Sequence, residues 1–231
     1  MIRRRDREGD RMKYELNTLY NMDCMEAMKY IPDKYFDLAI VDPPYGIGLN
    51  HNIGRRKGQR HSPYKKADWD NEPPTERYFN ELFRISRNQI IFGANHFISK
   101  FAKDSAGWIV WDKMISEKTT FSMGELIWTS FDRLLKIYTV SNTGGANTEE
   151  KIVPSQKPVE LYKLILRDYA AAGMKLVDTH AGSGTSMIAC YDMGIDCIAF
   201  EKDQNTFTQA FLRVENHKRQ AVFEEVRQLG L

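Results

Sequence analysis

Long apolar runs are missing from this sequence. None approaches the ~20 residues that a membrane-spanning helix needs, so no membrane partner is expected. Cysteine is scarce: Cys24, Cys190 and Cys197 are the only three. They form no metal-like cluster, and their apolar surroundings read as reduced thiols in a cytoplasmic protein. Nor is there an excess of one charge. Thirty-three basic against thirty-one acidic side chains leave a net charge of +2, so global charge names no partner. No internal repeat is visible. The charge-dense start lacks the apolar stretch of a secretory signal, and residues 1–13 are expected to be a disordered leader.

What is present is ordinary for a globular protein, with 42% hydrophobic and 28% charged residues in 231. That length supports one sizeable α/β core, expected over residues 14–231. Short apolar runs alternate with amphipathic stretches, the pattern of a sheet flanked by helices. Strands are expected at 36–41, 89–93, 108–111, 134–140, 175–179 and 197–201. Helices are expected at 24–30, 74–84, 159–172, 185–193 and 205–217. Two irregular stretches interrupt this order. Asn50–Lys66 carries Arg55, Arg56, Lys57, Arg60, Lys65 and Lys66 without a single acid. Ser141–Ser155 is rich in Gly, Asn and Thr and reads as a loop.

Two turns carry chemistry. From Leu176 to Thr185 the chain reads as a strand, the glycine turn Gly182-Ser183-Gly184 and a helix start. Glycines let backbone approach a ligand closely, and a helix N-terminus offers free N–H groups. Seventeen residues beyond Gly184 the next strand ends in Glu201, where a carboxylate can accept from both hydroxyls of a ribose. The third spaced glycine of a dinucleotide fingerprint is absent, and Ser186 stands near its place. A nucleoside with a small carboxylate tail therefore fits better than a pyrophosphate. Taken alone, a Gly-x-Gly turn joins a strand to a helix as often as it binds a ligand.

The second turn is Asp42-Pro43-Pro44-Tyr45, directly after a buried strand. Two prolines fix φ and remove N–H donors. The result is a rigid, acceptor-only surface made of the Asp42 carboxylate and the Pro43 carbonyl, at the strand end where open α/β sheets hold ligands. An exocyclic NH₂ on a base has two protons for two such acceptors. Tyr45 can stack on that base.

Together these residues resemble the amino-methyltransferases of DNA, which make N6-methyladenine or N4-methylcytosine. Asp42–Tyr45 fits the family's (Asp/Asn/Ser)-Pro-Pro-(Tyr/Phe/Trp) motif in full. Asp178–Thr185 is similar to its Asp-Pro-Phe-x-Gly-Ser-Gly-Thr motif, with Thr179-His180 in place of Pro-Phe. Gln156-Lys157-Pro158 is similar to the element lining the methionine end of the cofactor, and Asn21–Cys24 to the segment that contacts its adenine. The resemblance implies a Rossmann-like class I methyltransferase with a mostly parallel seven-stranded sheet. The catalytic motif precedes the cofactor motif, the permuted order of the family's β group.

It also implies S-adenosylmethionine as cofactor, held by Asp23, Cys24, Asp42, Gln156, Lys157, Pro158, Asp178, His180, Gly182, Ser183, Gly184, Thr185, Glu201 and Lys202. No metal is required. Asp in the first motif position points to adenine N6 in DNA. Cytosine N4, an RNA base or a catalytically silent DNA-binding subunit remain as alternatives. The six cations near 50–66 are expected on DNA phosphates. The 141–155 loop leaves little room for target recognition, so a short or relaxed target sequence is expected. A homodimer, a companion restriction endonuclease and a bacterial or phage origin complete the expectations.

Overall fold

Leu38-Ala39-Ile40-Val41 is apolar at every position, and a strand can bury that pattern only when both of its faces are covered. Alternate side chains then part to opposite sides. In the computed structural model, which describes residues 12–47, 72–118, 122–142 and 151–228, Leu38 and Ile40 enter one core. Ala39 and Val41 enter the other.

The described elements are strands β1 (Thr18–Asn21), β2 (Phe36–Val41), β3 (Ser86–Phe92), β4 (Ile109–Asp112), β5 (Gly124–Thr129), β6 (Lys136–Thr139), β7 (Lys175–Asp178) and β8 (Asp196–Glu201). Five helices accompany them: α1 (Cys24–Met28), α2 (Glu76–Ile85), α3 (Val159–Tyr169), α4 (Thr185–Asp192) and α5 (Gln204–Gln228). Helices α3, α4 and α5 supply residues to the core that holds Leu38 and Ile40. Helices α1 and α2 and the 3₁₀ turn Ala94–His96 cover the other face.

The sheet runs β1-β8-β7-β2-β3-β5-β4-β6, parallel throughout except for β5, which is antiparallel to both β3 and β4. The expected α/β architecture holds, with eight strands rather than seven. The strand expected at 134–140 is the edge strand β6, which pairs with β4 from Ile109↔Lys136 to Asp112↔Thr139. Strands β1 and β5 escape sequence reading: Thr18–Asn21 holds two polar residues in four, and the apolar run of β5 is only Leu126–Trp128, with Glu125 just before it. Helix α5 continues to Gln228, well past the expected end at 217.

From β7 the chain proceeds outward to β8, and from β2 outward the other way to β3. The boundary between β7 and β2 is therefore a topological switch point, where crossover segments diverge and leave a crevice at the strands' carboxyl ends. Asp42 follows β2, Thr179 follows β7 and Glu201 ends β8. Both chemistry-bearing turns meet there.

Candidate active site

A cavity of about 850 Å³ opens at this crevice. Its walls come from the ends of four parallel strands: Met22–Met25 after β1, Asp42 and Pro44 after β2, Thr179–Ser183 after β7 and Phe200–Gln204 around the end of β8. Gln156 and Lys157, just before α3, and Tyr78 of α2 complete the part that matters for chemistry.

The glycine turn is braced largely through backbone. Gly182 N–H donates to Glu201 Oε2 at 2.9 Å, and Asp203 N–H to Oε1 at 2.8 Å. These leave each Glu201 oxygen with a further lone pair on the cavity wall. A Cβ at Gly182 (φ +51°) would meet only the His180 carbonyl oxygen, at 3.9 Å, so a ligand can come close to this backbone. Gly184 (φ +74°) has a different duty. A Cβ there would lie 2.8 Å from the Val214 Cγ2 of α5, so this glycine lets α4 and α5 approach. Arg213 of α5 ties the turn from behind, donating to the Ser183 carbonyl at 2.8 Å and to Thr185 Oγ1 at 3.0 Å.

Asp178 lies behind the wall. It accepts from Ser186 Oγ at 2.6 Å and from the His180 N–H at 2.9 Å. This explains the serine near the place of a third glycine. Burial pushes the Asp178 carboxyl up to about 7, against the pull of those two donors. Burial drives His180 the other way, to about 4, so its imidazole is neutral near pH 7. Its Nδ1 lies 2.9 Å from Thr179 Oγ1, which is in turn 2.6 Å from the buried Tyr78 hydroxyl.

At the adenine end expected from the resemblance, Asp23 caps α1 by accepting from Met25 N–H at 2.8 Å, and it pairs with Lys202 at 3.0 Å. Cys24 is buried, and burial pushes its thiol up to about 12, far from a reactive thiolate. Gln156 accepts from Ile152 N–H at 3.1 Å and so shapes the chain entering α3. Pro158 is the N-cap of α3. Pro43, Pro158, Asp178 and Gly184 support the cavity rather than line it.

The acceptor turn is built from charge. Lys157 Nζ stands 2.8 Å from Asp42 Oδ2 and 3.2 Å from Glu125 Oε1, while Lys113 Nζ is 2.9 Å from Glu125 Oε2. The Tyr45 hydroxyl lies 2.7 Å from Asp42 Oδ1 and 2.5 Å from Glu125 Oε1. The Tyr45 ring rests against Gly93, where a Cβ would come within 2.3 Å of it, and stacks on His96 at 5.0 Å. Lys157, expected at the methionine end of a cofactor, is therefore also the cation on the Asp42 carboxylate. Glu125 and Lys113 were not foreseen. The only sequence signal is an acid just before the apolar run Leu126–Trp128.

Arg55, Arg56, Lys57, Arg60, Lys65 and Lys66, with residues 143–150 of the expected recognition loop, lie outside the described residues. The residues on either side of the basic segment are described, however. Gly46 packs so closely on Pro73 that a Cβ would meet its Cδ at 2.5 Å, and Glu72 and Pro73 line the cavity. The described residues that flank the segment, Gly46 and Pro73, therefore meet beside the cavity. Among the described residues, no cluster of His, Cys, Asp or Glu could hold a metal ion. No described helix is long and apolar enough to cross a membrane.

The fold is shared with DNA methyltransferases of known structure. M1.HpyAVI, solved with SAM, superposes with a TM-score of 0.56 at 19% identity, over 85% of this chain and 98% of that one. The cytosine-N4-specific PvuII DNA methyltransferase gives 0.59 at 12% identity, over 85% of each chain. In sequence, the type II methyltransferase M1.MboII of Moraxella bovis is 27% identical over 48% of this chain and 44% of its own length. The chain spans less than half the length of the curated relatives it matches. A model of the N6/N4 DNA methylase family matches residues 94–212, half of the chain, and the chain belongs to that family.

Proposed function

We propose that this chain transfers a methyl group from S-adenosylmethionine to the exocyclic amino group of a base in DNA, with adenine N6 as the target. The observation that carries this reading is that Asp42 and Pro44 of the acceptor turn share one cavity with Gly182, Ser183 and Glu201. Its residues suit the cofactor. At about 850 Å³ it is in the range of small-molecule sites and has room for a nucleoside with an amino-acid tail. Glu201 offers acceptors to a ribose, and Met22 and Phe200 give an adenine apolar walls. Gly182 and Ser183 line the same wall and would leave room for the tail.

When bound, the cofactor supplies an electrophilic methyl on a sulfonium, a good leaving group. The protein's part is to position and to exclude water. The base is flipped from its stack, at a cost of a few kcal/mol. Asp42, on the cavity wall, receives one amino hydrogen and orients the nitrogen lone pair; the Pro43 carbonyl, behind that wall, is the second acceptor only if the entering base reaches past Pro44. Lys157 and Tyr45 use two of the roughly four lone-pair sites on the Asp42 carboxylate, so acceptor capacity remains. The carboxylate can also take the proton released after attack. The basic segment between Ile47 and Glu72, whose flanking residues Gly46 and Pro73 meet beside the cavity, supplies phosphate contacts. DNA is the partner in this reading; a second copy of the chain and a companion restriction endonuclease are the protein partners to look for.

Adenine is favoured by the aspartate in the first motif position. Cytosine N4 is the second reading, since a cytosine-N4-specific enzyme shares the fold. Incubating the protein with methyl-labelled cofactor and matched DNA and RNA duplexes, then resolving the nucleosides, tests both. N6-methyladenine in DNA is expected. N4-methylcytosine would replace the base, label in RNA alone the substrate. Cofactor binding with no transfer to any nucleic acid would leave a silent DNA-binding subunit.

A further inference from the structure

Glu125 reaches the acceptor turn from β5, across the intervening strand β3. Its side chain is 8% exposed, against 19% for Asp42, 7% for Lys157 and 15% for Lys113. The cluster holds two carboxylates, two ammonium groups and one phenol. Tyr45 has a single hydroxyl hydrogen, yet both carboxylates stand within bonding distance of it. It donates to one at a time, and the shorter contact, 2.5 Å against 2.7 Å, is with Glu125. Glu125 also has two ammonium partners where Asp42 has one.

We propose that Glu125 is a positioning residue that takes the Tyr45 hydrogen and shares the Lys157 ammonium, and so keeps the Asp42 carboxylate an open acceptor for the amino group of the target base. This rests on the function proposed above. An Asp42 already holding the Tyr45 hydrogen and the whole Lys157 charge would have less to offer an amino group.

The electrostatics run the same way. Burial pushes the Asp42 carboxyl up, Lys157 pulls it down, and the Glu125 charge adds to the rise. Burial pushes Glu125 up too, but Lys157 and Lys113 outweigh it and hold that carboxyl below its usual value. Glu125 is thus the lasting anion of the pair. The other groups facing the cluster are Asp178 at the end of β7, Tyr162 of α3 and Lys151 before it. His96 lies on the Tyr45 ring.

The test is the titration of Asp42 in the unliganded protein, followed by NMR of carboxyl-labelled aspartate and assigned with Asp42→Asn. In Glu125→Gln the Asp42 midpoint should move to lower pH, because a like charge is gone and the Tyr45 hydrogen turns to Asp42. Tyr45→Phe should leave that midpoint nearly in place, and Glu125→Asp should restore the wild-type value. On DNA, Glu125→Gln should lower kcat on the order of 10-fold without changing KM or cofactor affinity, with the acid limb of the pH–rate profile shifted down.

An unmoved Asp42 midpoint in folded Glu125→Gln would overturn the proposal. So would a clear rise in Tyr45→Phe, which would place the hydrogen on Asp42 and decides the matter even if Glu125→Gln fails to fold. Titrations that move as expected, in a protein that methylates no nucleic acid, would overturn the proposed function and leave the hydrogen assignment standing.

Discussion

The turn after β7 and the turn after β2 lie side by side at the same edge of the sheet, yet they are held by different forces. The β7 turn is braced by backbone N–H groups on Glu201, by one Arg213 guanidinium nitrogen behind it and by a close helix contact at Gly184. Its buried acid and its histidine are shifted toward their neutral forms. The β2 turn is instead tied by a chain of ion pairs, Asp42 to Lys157, Lys157 to Glu125 and Glu125 to Lys113, at 2.8, 3.2 and 2.9 Å. A backbone-built wall keeps its shape through most side-chain changes. A buried charge cluster does not, because removing one member leaves its partner unpaired.

The largest effect should come from the charged side. Asp42→Asn keeps the size of the side chain but removes the charge and one acceptor, and should reduce methyl transfer by roughly 100-fold or more. Cofactor affinity, measured by calorimetry, should fall far less than the rate, since Glu201 and the glycine turn on the other wall are untouched. Transfer at near wild-type rate would show that Asp42 does not hold the amino group.

On the backbone-built side the damage should be to stability. Gly184→Ala places a Cβ at φ +74° and 2.8 Å from Val214, for a loss of about 2 kcal/mol. In a chain of this size that corresponds to a melting temperature lower by about 4–8 °C. Gly182→Ala, whose Cβ would make only an ordinary 3.9 Å contact with the His180 carbonyl oxygen, should cost only the conformational part, about 1 kcal/mol. Equal losses in the two variants would show that helix approach is not what Gly184 serves.

The smallest effect is a pH dependence that nearly cancels. The Asp178 carboxyl titrates near 3.8 when unfolded and about 7 when folded, so the folded state binds more protons between those values. Its contribution to stability is lost as pH rises across that window. His180 titrates near 6.5 unfolded and about 4 folded, so its contribution grows as pH rises. Relative to wild type, Asp178→Asn should therefore gain stability from pH 4.5 to 6.5, and His180→Phe should lose it. Urea unfolding at the two pH values measures both differences. Differences of the same sign would break the assignment.

Much of the backbone-built region was legible in the chain itself. Leu176–Thr185 announces a strand, a glycine turn and a helix, and Glu201 closes the next strand, because local rules of φ and apolar patterning decide those features. The acceptor turn was legible to the same depth, since two prolines after a buried strand admit few conformations. Strand β5 was not. Glu125 stands just before its short apolar run, and an acid is stable there only because Lys113 and Lys157 arrive from elsewhere in the chain.

The sequence by itself determined the two turns, their order and the acceptor character of Asp42-Pro43-Pro44, all consequences of neighbours along the chain. The tertiary structure alone decided what surrounds Asp42. Inserting β5 antiparallel between β3 and β4 carries a carboxylate to the end of β2, and the start of α3 brings an ammonium group to meet it. Charges interact through space, over a few ångströms, between residues that are dozens of positions apart.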